Sequence, residues 1–138
     1  MKYLIILMFF VISIQAQNFQ WARGSGGALQ DWSNHVASDA QGNAYITGKF
    51  QGPSHFETQT LYSTGLYDFF VAKYNAAGSL QWVKQAGSTS PYGKIEGSSA
   101  SINSIGDVFV TGFYDSTINF GNGFTVSAAG HAYDMFVV

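Results

Sequence analysis

The stretch GNAYITGKF, residues 42–50, decides the fold because it returns 64 residues later as GDVFVTGFY, residues 106–114. Each copy opens with Gly followed by Asn or Asp, which favours a tight turn because glycine adopts a positive φ without steric cost. The residues after the turn are apolar on both faces, as in a strand covered on both sides. A second glycine follows Thr in each copy and indicates a bend or a bulge. The chain is therefore predicted to be a repeat protein built from strands.

The segments around the two copies also recur in the same order. FQWAR at 19–23 matches LQWVK at 80–84, and a short segment at 34–39 matches 98–103. FFVAKY at 69–74 and MFVV at 135–138 follow a Tyr-Asp pair in each unit. Each unit, 19–79 and 80–138, is thus predicted to hold four strands, and no window has a helical period. Turn-rich connections are expected at Gln51 to Thr64 and at Asp115 to Gly130.

Tandem four-stranded antiparallel sheets with two apolar faces are what the blades of a β-propeller require, because each blade packs on the next. The predicted fold class is therefore all-β, with about two blades in an incomplete ring, since propellers use about four to eight. Phe109 is expected to lie between two sheets. Its replacement with Ala is expected to cost about 3 to 5 kcal/mol.

Most of the chain after residue 16 resembles the bacterial β-propeller repeat known as the SBBP repeat. The resemblance rests on residues 39–50, 67–75, 78–87 and 101–138, with departures at Asn103 and Ile105 in the second turn. It implies a secreted or surface-exposed propeller, often one part of a longer protein. It supplies no catalytic motif.

The chain starts with a Trp strand and stops after an Asp-Phe-Val strand, so the last unit lacks the further Trp strand that would complete it. Two interpretations remain. The chain is the front portion of a longer protein, which we favour because it ends within a strand that has no polar cap. Alternatively, copies associate head to tail, with the Phe19 to Arg23 strand of one completing the last blade of another.

Residues 1–16 have the pattern of a signal peptide. Lys2 precedes an apolar run at 4–12, and a more polar segment follows at 13–16. The run is too short for a membrane-spanning helix, which needs about 20 apolar residues. We therefore expect an exported protein, secreted or at the cell surface, with no membrane insertion once the signal is removed. The absence of cysteine excludes disulfides and a lipidated cysteine.

The composition excludes polyanion partners. Charged residues make up 10% of the chain, the formal net charge is −2 at pH 7, and the basic residues are scattered. Nucleic-acid binding needs clustered Lys or Arg, so none is expected. Stability must come from burial of the 46% of residues that are apolar.

Four residues are weak candidates for ligand binding. Asp68 and Asp134 precede equivalent strands and could form a carboxylate ring at a channel mouth, or else cap turns. Trp21 and Trp82 could stack on sugars, but their recurrence at one strand position favours packing.

No cofactor, metal site or catalytic residue is predicted. The segment 39–43 has too few carboxylates for a calcium loop, and His35, His55 and His131 lack ligand spacing. Glu57 and Glu96 have no counterparts in the other repeat, which is what a single catalytic pair would look like, but nothing in the sequence brings them together.

The predicted function is a non-catalytic exported module for binding or scaffolding at the cell surface. Its recognition residues are expected in the two turn-rich connections, and its partner is an extracellular protein or ligand, including glycans. An extracellular glycan-active hydrolase or lyase that uses a propeller channel is the alternative, and a purely structural spacer is a third.

Overall fold

A computed structural model describes residues 18–130 and 132–138, so the predicted signal peptide at 1–16 lies outside the described residues. The described part is all-β, in agreement with the predicted fold class, and its antiparallel sheets do not close into a ring. No helix in that part is long and apolar enough to cross a membrane. The eleven strands are β1 Asp31–Ser38, β2 Ala44–Phe50, β3 Pro53–Phe56, β4 Gln59–Tyr62, β5 Asp68–Tyr74, β6 Leu80–Ser88, β7 Ile95–Ile102, β8 Val108–Tyr114, β9 Thr117–Gly121, β10 Phe124–Ser127 and β11 Asp134–Val137.

The first sheet has the order β1-β2-β5-β6-β9-β10. Its first four strands form an antiparallel series. The hairpin β9–β10 extends the sheet because Gly87 and Ser88, at the end of β6, pair with β9. The second sheet has the order β11-β8-β7, and β3–β4 forms a separate hairpin. The repeat seen in the sequence is therefore a repeat of structure, with β1-β2-β5 corresponding to β7-β8-β11.

Each repeat carries a β-bulge opposite its second glycine. The register shifts between Ser33 and His35 in β1 and between Gly97 and Ser99 in β7. Gly48 and Gly112 face these bulges, and a Cβ on either would overlap a backbone carbonyl of the facing strand. The glycine therefore recurs because the bulged backbone approaches it closely.

Two apolar cores lie on opposite faces of the first sheet. One face packs against the second sheet through a cluster that includes Phe69, Val71 and Val110. The other face carries Phe70 and Tyr74, and it packs against the β3–β4 hairpin and the amino-terminal segment. The strands of the first repeat are thus covered on both faces, as their apolar pattern predicts.

Two local predictions are wrong. The segment Phe19 to Arg23 is not a strand, and Phe19 is fully exposed. This segment is joined to the fold by the bridge between Gly26 and His55 a few residues later. The connections predicted to be turn-rich and without strands contain the hairpins β3–β4 and β9–β10, because short alternating runs pair locally across a two-residue turn.

The predicted burial of Phe109 is also wrong. Its ring is 47% exposed, whereas Tyr45, at the same position of the first repeat, is 1% exposed. Tyr45 lies on the face that the second sheet covers. Phe109 lies on the outer face of the second sheet, where no further sheet packs in the described part of the chain.

Candidate binding site

A cavity of about 490 Å³ lies where the ends of the two sheets meet. We call it the junction cavity. Its lining combines aromatic rings with one carboxylate and two amines: Lys49, Tyr67, Lys94, Ile95, Glu96, Phe113 and Tyr133. The residues come from both repeats, so packing of the second sheet on the first creates the site.

An ion pair joins the two sheets in this cavity. Lys49 Nζ lies 2.6 Å from Glu96 Oε2, and both side chains are largely buried, with 14% and 17% exposed. Asn34 Nδ2 donates to Glu96 Oε1 at 2.7 Å and to the Gly97 carbonyl at 2.9 Å. Both oxygens of the carboxylate are therefore engaged, and the Glu96 side chain is held in one orientation.

Aromatic rings surround the Lys49 ammonium. Its Nζ lies 4.2 Å from the centroid of Trp32 and 5.0 Å from that of Tyr67, within the range of cation–π attraction. These two rings stack with centroids 6.4 Å apart. Across the cavity Phe113 meets Tyr133 edge to face at 5.1 Å. Trp32 and Tyr133 remain about half exposed, so ring surface is accessible to a ligand.

The arrangement suits binding better than acid–base catalysis. Aromatic faces pack on the apolar faces of small polar molecules, and fixed charges accept or donate hydrogen bonds. The hypothetical catalytic pair is not assembled, because Glu57 bonds Arg23 Nε at 3.2 Å and the Leu80 amide at 3.2 Å, whereas Glu96 is held by Lys49 and Asn34. Each carboxylate serves a separate part of the structure.

We expect removal of either charge in the ion pair to destabilise the chain. Lys49→Met leaves the Glu96 carboxylate without its cation in a poorly hydrated place, which should lower the free energy of unfolding by about 2 kcal/mol. Glu96→Gln should have a smaller effect because the Asn34 contact can persist.

A double-mutant cycle in urea measures the coupling between Lys49 and Glu96. The double variant should be less destabilised than the sum of the single variants. Additive losses would mean that the pair does not couple the two sheets.

The predicted candidate Asp68 lies in a turn before β5. Its carboxylate is buried and accepts bonds from the Thr64 amide at 2.9 Å, the Gly65 amide at 3.0 Å and the Thr64 hydroxyl at 3.2 Å. Asp134 accepts from the Ala129 amide at 2.8 Å, at the equivalent place. The structure thus places both carboxylates in turns, as in the second of the two interpretations, while a role at a channel mouth stays a prediction.

Burial raises the pKa of Asp68, and the hydrogen bonds from Thr64 and Gly65 oppose this effect. Because the folded state then holds the proton more tightly than the unfolded chain, the parent protein should lose stability as the pH rises from about 4 through the folded-state pKa. Asp68→Asn does not titrate. The difference in unfolding free energy, parent minus variant, should therefore fall across this window in urea titrations at successive pH values. A difference that is constant or grows with pH would contradict the shift.

The tryptophan candidates lie outside the lining of the junction cavity. Trp21 stacks on Tyr74 with centroids 6.1 Å apart, and its Nε1 donates to the Ala76 carbonyl at 3.1 Å. Trp82 meets Tyr45 edge to face at 6.1 Å and packs against the core between the sheets. Both rings make packing contacts, and a sugar-stacking role for either stays a prediction.

The hairpin turn at 39–43 supplies hydrogen-bond donors to the carboxylate of Asp39. Asp39 Oδ1 accepts from the Gln41 and Asn43 amides at 3.0 Å, and Oδ2 accepts from Asn43 Nδ2 at 2.7 Å. The Asn43 side chain is the main cause that lowers the pKa of Asp39. The turn at 103–107 has the same form, but the residue with the carboxamide side chain, Asn103, comes first and the residue with the carboxylate, Asp107, comes last. Asn103 Oδ1 accepts from the backbone N–H of Asp107 at 2.8 Å, and Asn103 Nδ2 donates to Asp107 Oδ2. The departure from the repeat at Asn103 therefore leaves the turn intact.

The two described histidines each have a hydrogen-bond partner, His35 across the two sheets and His55 within its own hairpin. His35 Nδ1 accepts from the Ala100 amide at 3.2 Å, and His55 Nδ1 lies 2.9 Å from Thr60 Oγ1. His131 lies outside the described residues. Within 18–130 and 132–138 no three His, Cys, Asp or Glu side chains form a group that could hold a metal ion.

Sequence reasoning missed most of the junction cavity, although a signal for it exists. Lys49 is replaced by Phe113 in the second repeat, and Trp32 stands where the second repeat has Glu96. Positions at which one repeat departs from the other therefore supply the charged pair of the site, whereas its tyrosines, Tyr67 and Tyr133, recur in both repeats. Positions that agree, such as Tyr45 and Phe109, belong to the packing pattern.

Comparison with protein-family models, with curated proteins and with solved structures finds no match to this chain. The fold itself is that of an all-β repeat protein with two stacked antiparallel sheets and a separate hairpin.

Proposed function

We propose that the chain is an exported, non-catalytic β-propeller module of the SBBP type that binds a ligand at the cell surface. Three features support the proposal: the signal-peptide pattern at 1–16, the two-fold repeat of sheets that stack face to face, and a charge-poor surface. The single observation that carries the binding role is the junction cavity, where Trp32 and Tyr67 flank the Lys49–Glu96 pair.

The chemistry of the cavity favours a glycan. A sugar ring has an apolar face that packs on aromatic rings and hydroxyls that bond to charged groups at its edge. Tyr133 in the lining and Trp32, which contacts Lys49 and Tyr67, supply accessible ring surface, while Lys94 and the Lys49–Glu96 pair supply polar partners. The charged residues of the lining, Lys49, Lys94 and Glu96, sum to a net charge of only +1, so the site is suited to a neutral ligand better than to a polyanion.

Binding to a panel of soluble polysaccharides tests the proposal, with affinity gel electrophoresis as the measurement. We expect at least one polysaccharide to retard the chain, and Tyr133→Ala, which removes a half-exposed ring from the cavity lining, to weaken this binding about tenfold or more. Tyr92→Ala is the matched control, because Tyr92 is 81% exposed and lies outside the cavity lining.

The two alternatives give different results in the same experiment. A glycan-active hydrolase or lyase would release reducing or unsaturated ends from a polysaccharide during incubation. A structural spacer would show neither retardation nor release. Either result would overturn the proposed binding function.

A further inference from the structure

The outer face of the second sheet is apolar and uncovered. We call it the open face. Met135 is 88% exposed, Val137 is 70% exposed and Phe109 is 47% exposed. The equivalent residues of the first sheet are Phe69, Val71 and Tyr45, which are 3%, 8% and 1% exposed. The same surface of the repeat is therefore buried in one copy and exposed in the other.

In the first repeat, the second sheet covers this surface. Phe69 and Val71 pack in one cluster with Ile95, Val110 and Phe136 of the second sheet. Gly97 makes the approach possible, since a Cβ there would lie 2.7 Å from the Phe69 ring and would overlap the Thr47 hydroxyl. The face of the first repeat that carries Phe69 thus packs on the opposite face of the second repeat. We call this opposite face of a repeat its receptor side.

The receptor side of the first sheet is covered in part by the β3–β4 hairpin and the amino-terminal segment, but a space remains beside them. A cavity of about 280 Å³, which we call the socket, lies on this face, and its lining includes Ser33, Ile46, Phe70 and Ala72. Ser33, Ile46 and Phe70 are the repeat equivalents of Gly97, Val110 and Phe136. The socket therefore lies on the surface of the first repeat that is equivalent to the surface of the second repeat on which Phe69 packs.

Two buried polar atoms that belong to residues of the socket have no hydrogen-bond partner. They are Asp31 Oδ1 and Ser54 Oγ, and Ser54 as a whole is 0% exposed. A buried polar atom without a partner is costly and uncommon in a native fold. Both atoms are closed to solvent in the single chain, so a second copy could bond to them only if the wall of the socket opened.

A strand edge is open in a matching way. Within a repeat β5 pairs with β6, but β11, the equivalent of β5, has a partner on one side alone in the described part of the chain. The segment Phe19 to Arg23 matches Leu80 to Lys84 of β6 in sequence, yet it forms no strand. Exposed backbone edges of this kind pair readily with a strand from another chain.

We propose that the open face binds a second copy of this chain, head to tail. The Phe19 to Arg23 segment of the second copy adds to β11, and the open face packs into the socket of that copy. Both halves of the contact are on the same chain, which is why a second copy is the occupant. The contact is heterologous, so it can propagate until the copies close a ring or form a filament. The inference rests on the repeat and not on the ligand proposed for the junction cavity.

The open face also indicates what kind of contact to expect. Phe113 stands at the position of Lys49, so the ion pair that joins the two sheets within the chain is not reproduced. Association should therefore be driven by apolar burial, and added salt should not weaken it.

Sedimentation velocity on the chain purified from an exporting host tests the inference. We expect species larger than a single chain that increase with protein concentration from about 1 to 100 µM and persist in high salt. The double variant with Met135→Lys and Val137→Lys should raise the dissociation constant for association between chains at least tenfold, so that the monomer predominates. Phe124→Lys is the control, because Phe124 is 72% exposed on β10 and lies outside the open face.

Phe19→Lys provides a second variant that does not depend on the fold of the second sheet. Phe19 is fully exposed in the single chain, so its replacement should leave folding unchanged but weaken association. A parent chain that stays monomeric up to about 100 µM would overturn the proposal and leave a further repeat as the occupant of the open face. Oligomers that persist in both variants would also overturn it. Polysaccharide binding is a separate measurement, so either proposal can fail without the other.

Discussion

Replacing Gly48 with Ala is expected to lower the free energy of unfolding by at least about 3 kcal/mol, at the upper end of the cost of overpacking. The added Cβ would overlap the Trp32 carbonyl oxygen and lie 2.9 Å from the Ser33 Cα. Both are backbone atoms of the bulge in β1, so no side-chain rotation can relieve the contact. The strands β1 and β2 must separate, and β1 would lose hydrogen bonds to its neighbour.

Urea unfolding followed by tryptophan fluorescence measures this loss. Gly24→Ala is the control, because a Cβ there meets nothing within 4 Å. Gly112→Ala should behave like Gly48→Ala, since its Cβ would overlap the Glu96 carbonyl oxygen and approach the Phe136 ring at 2.7 Å. If Gly48→Ala and Gly24→Ala were equally stable, the bulge would not require the glycine.

The second large effect is expected at Tyr45. Tyr45→Ala should cost about 3 to 5 kcal/mol, because the ring is 1% exposed and contacts Trp82, and the cavity left behind cannot collapse between two sheets. Its hydroxyl also donates to Asp39 Oδ2 at 3.0 Å, a bond that the variant loses. Since domains of this size are stable by about 5 to 15 kcal/mol, the loss is a large part of the total.

Phe109→Ala is the matched variant in the second repeat. The ring is 47% exposed, so its removal should cost about 1 kcal/mol or less in the monomer. The same urea experiment compares the two variants at low protein concentration. Equal losses at the two positions under these conditions would mean that the outer face of the second sheet is covered within a single chain.

The concentration dependence of the Phe109 variant connects stability to association. If the open face is buried by a second copy, the cost of Phe109→Ala should rise with protein concentration, because the ring is then covered. The cost of Tyr45→Ala should change far less, since Tyr45 is buried within each chain.

The all-β class and most of the strands could be predicted from local sequence. Alternation, the glycine that begins each turn and the two-fold recurrence of residues 42–50 are local signals, and the hydrogen bonds of Asp39 and Asn103 form within five residues of each turn. The prediction of a strand at Phe19 to Arg23 was wrong because it used local sequence alone. A strand needs a partner edge, and propensity alone does not supply one.

The sequence by itself determined which residues alternate, where the chain turns and that one unit occurs twice. Tertiary structure alone decided which of two equivalent faces is buried, because Tyr45 and Phe109 occupy the same place in their units and differ in whether a neighbouring sheet packs on them. It also created the junction cavity. Lys49 and Glu96 lie 47 residues apart and meet because the second sheet stacks on the first, a contact that depends on the docking of the two units and not on any short-range pattern.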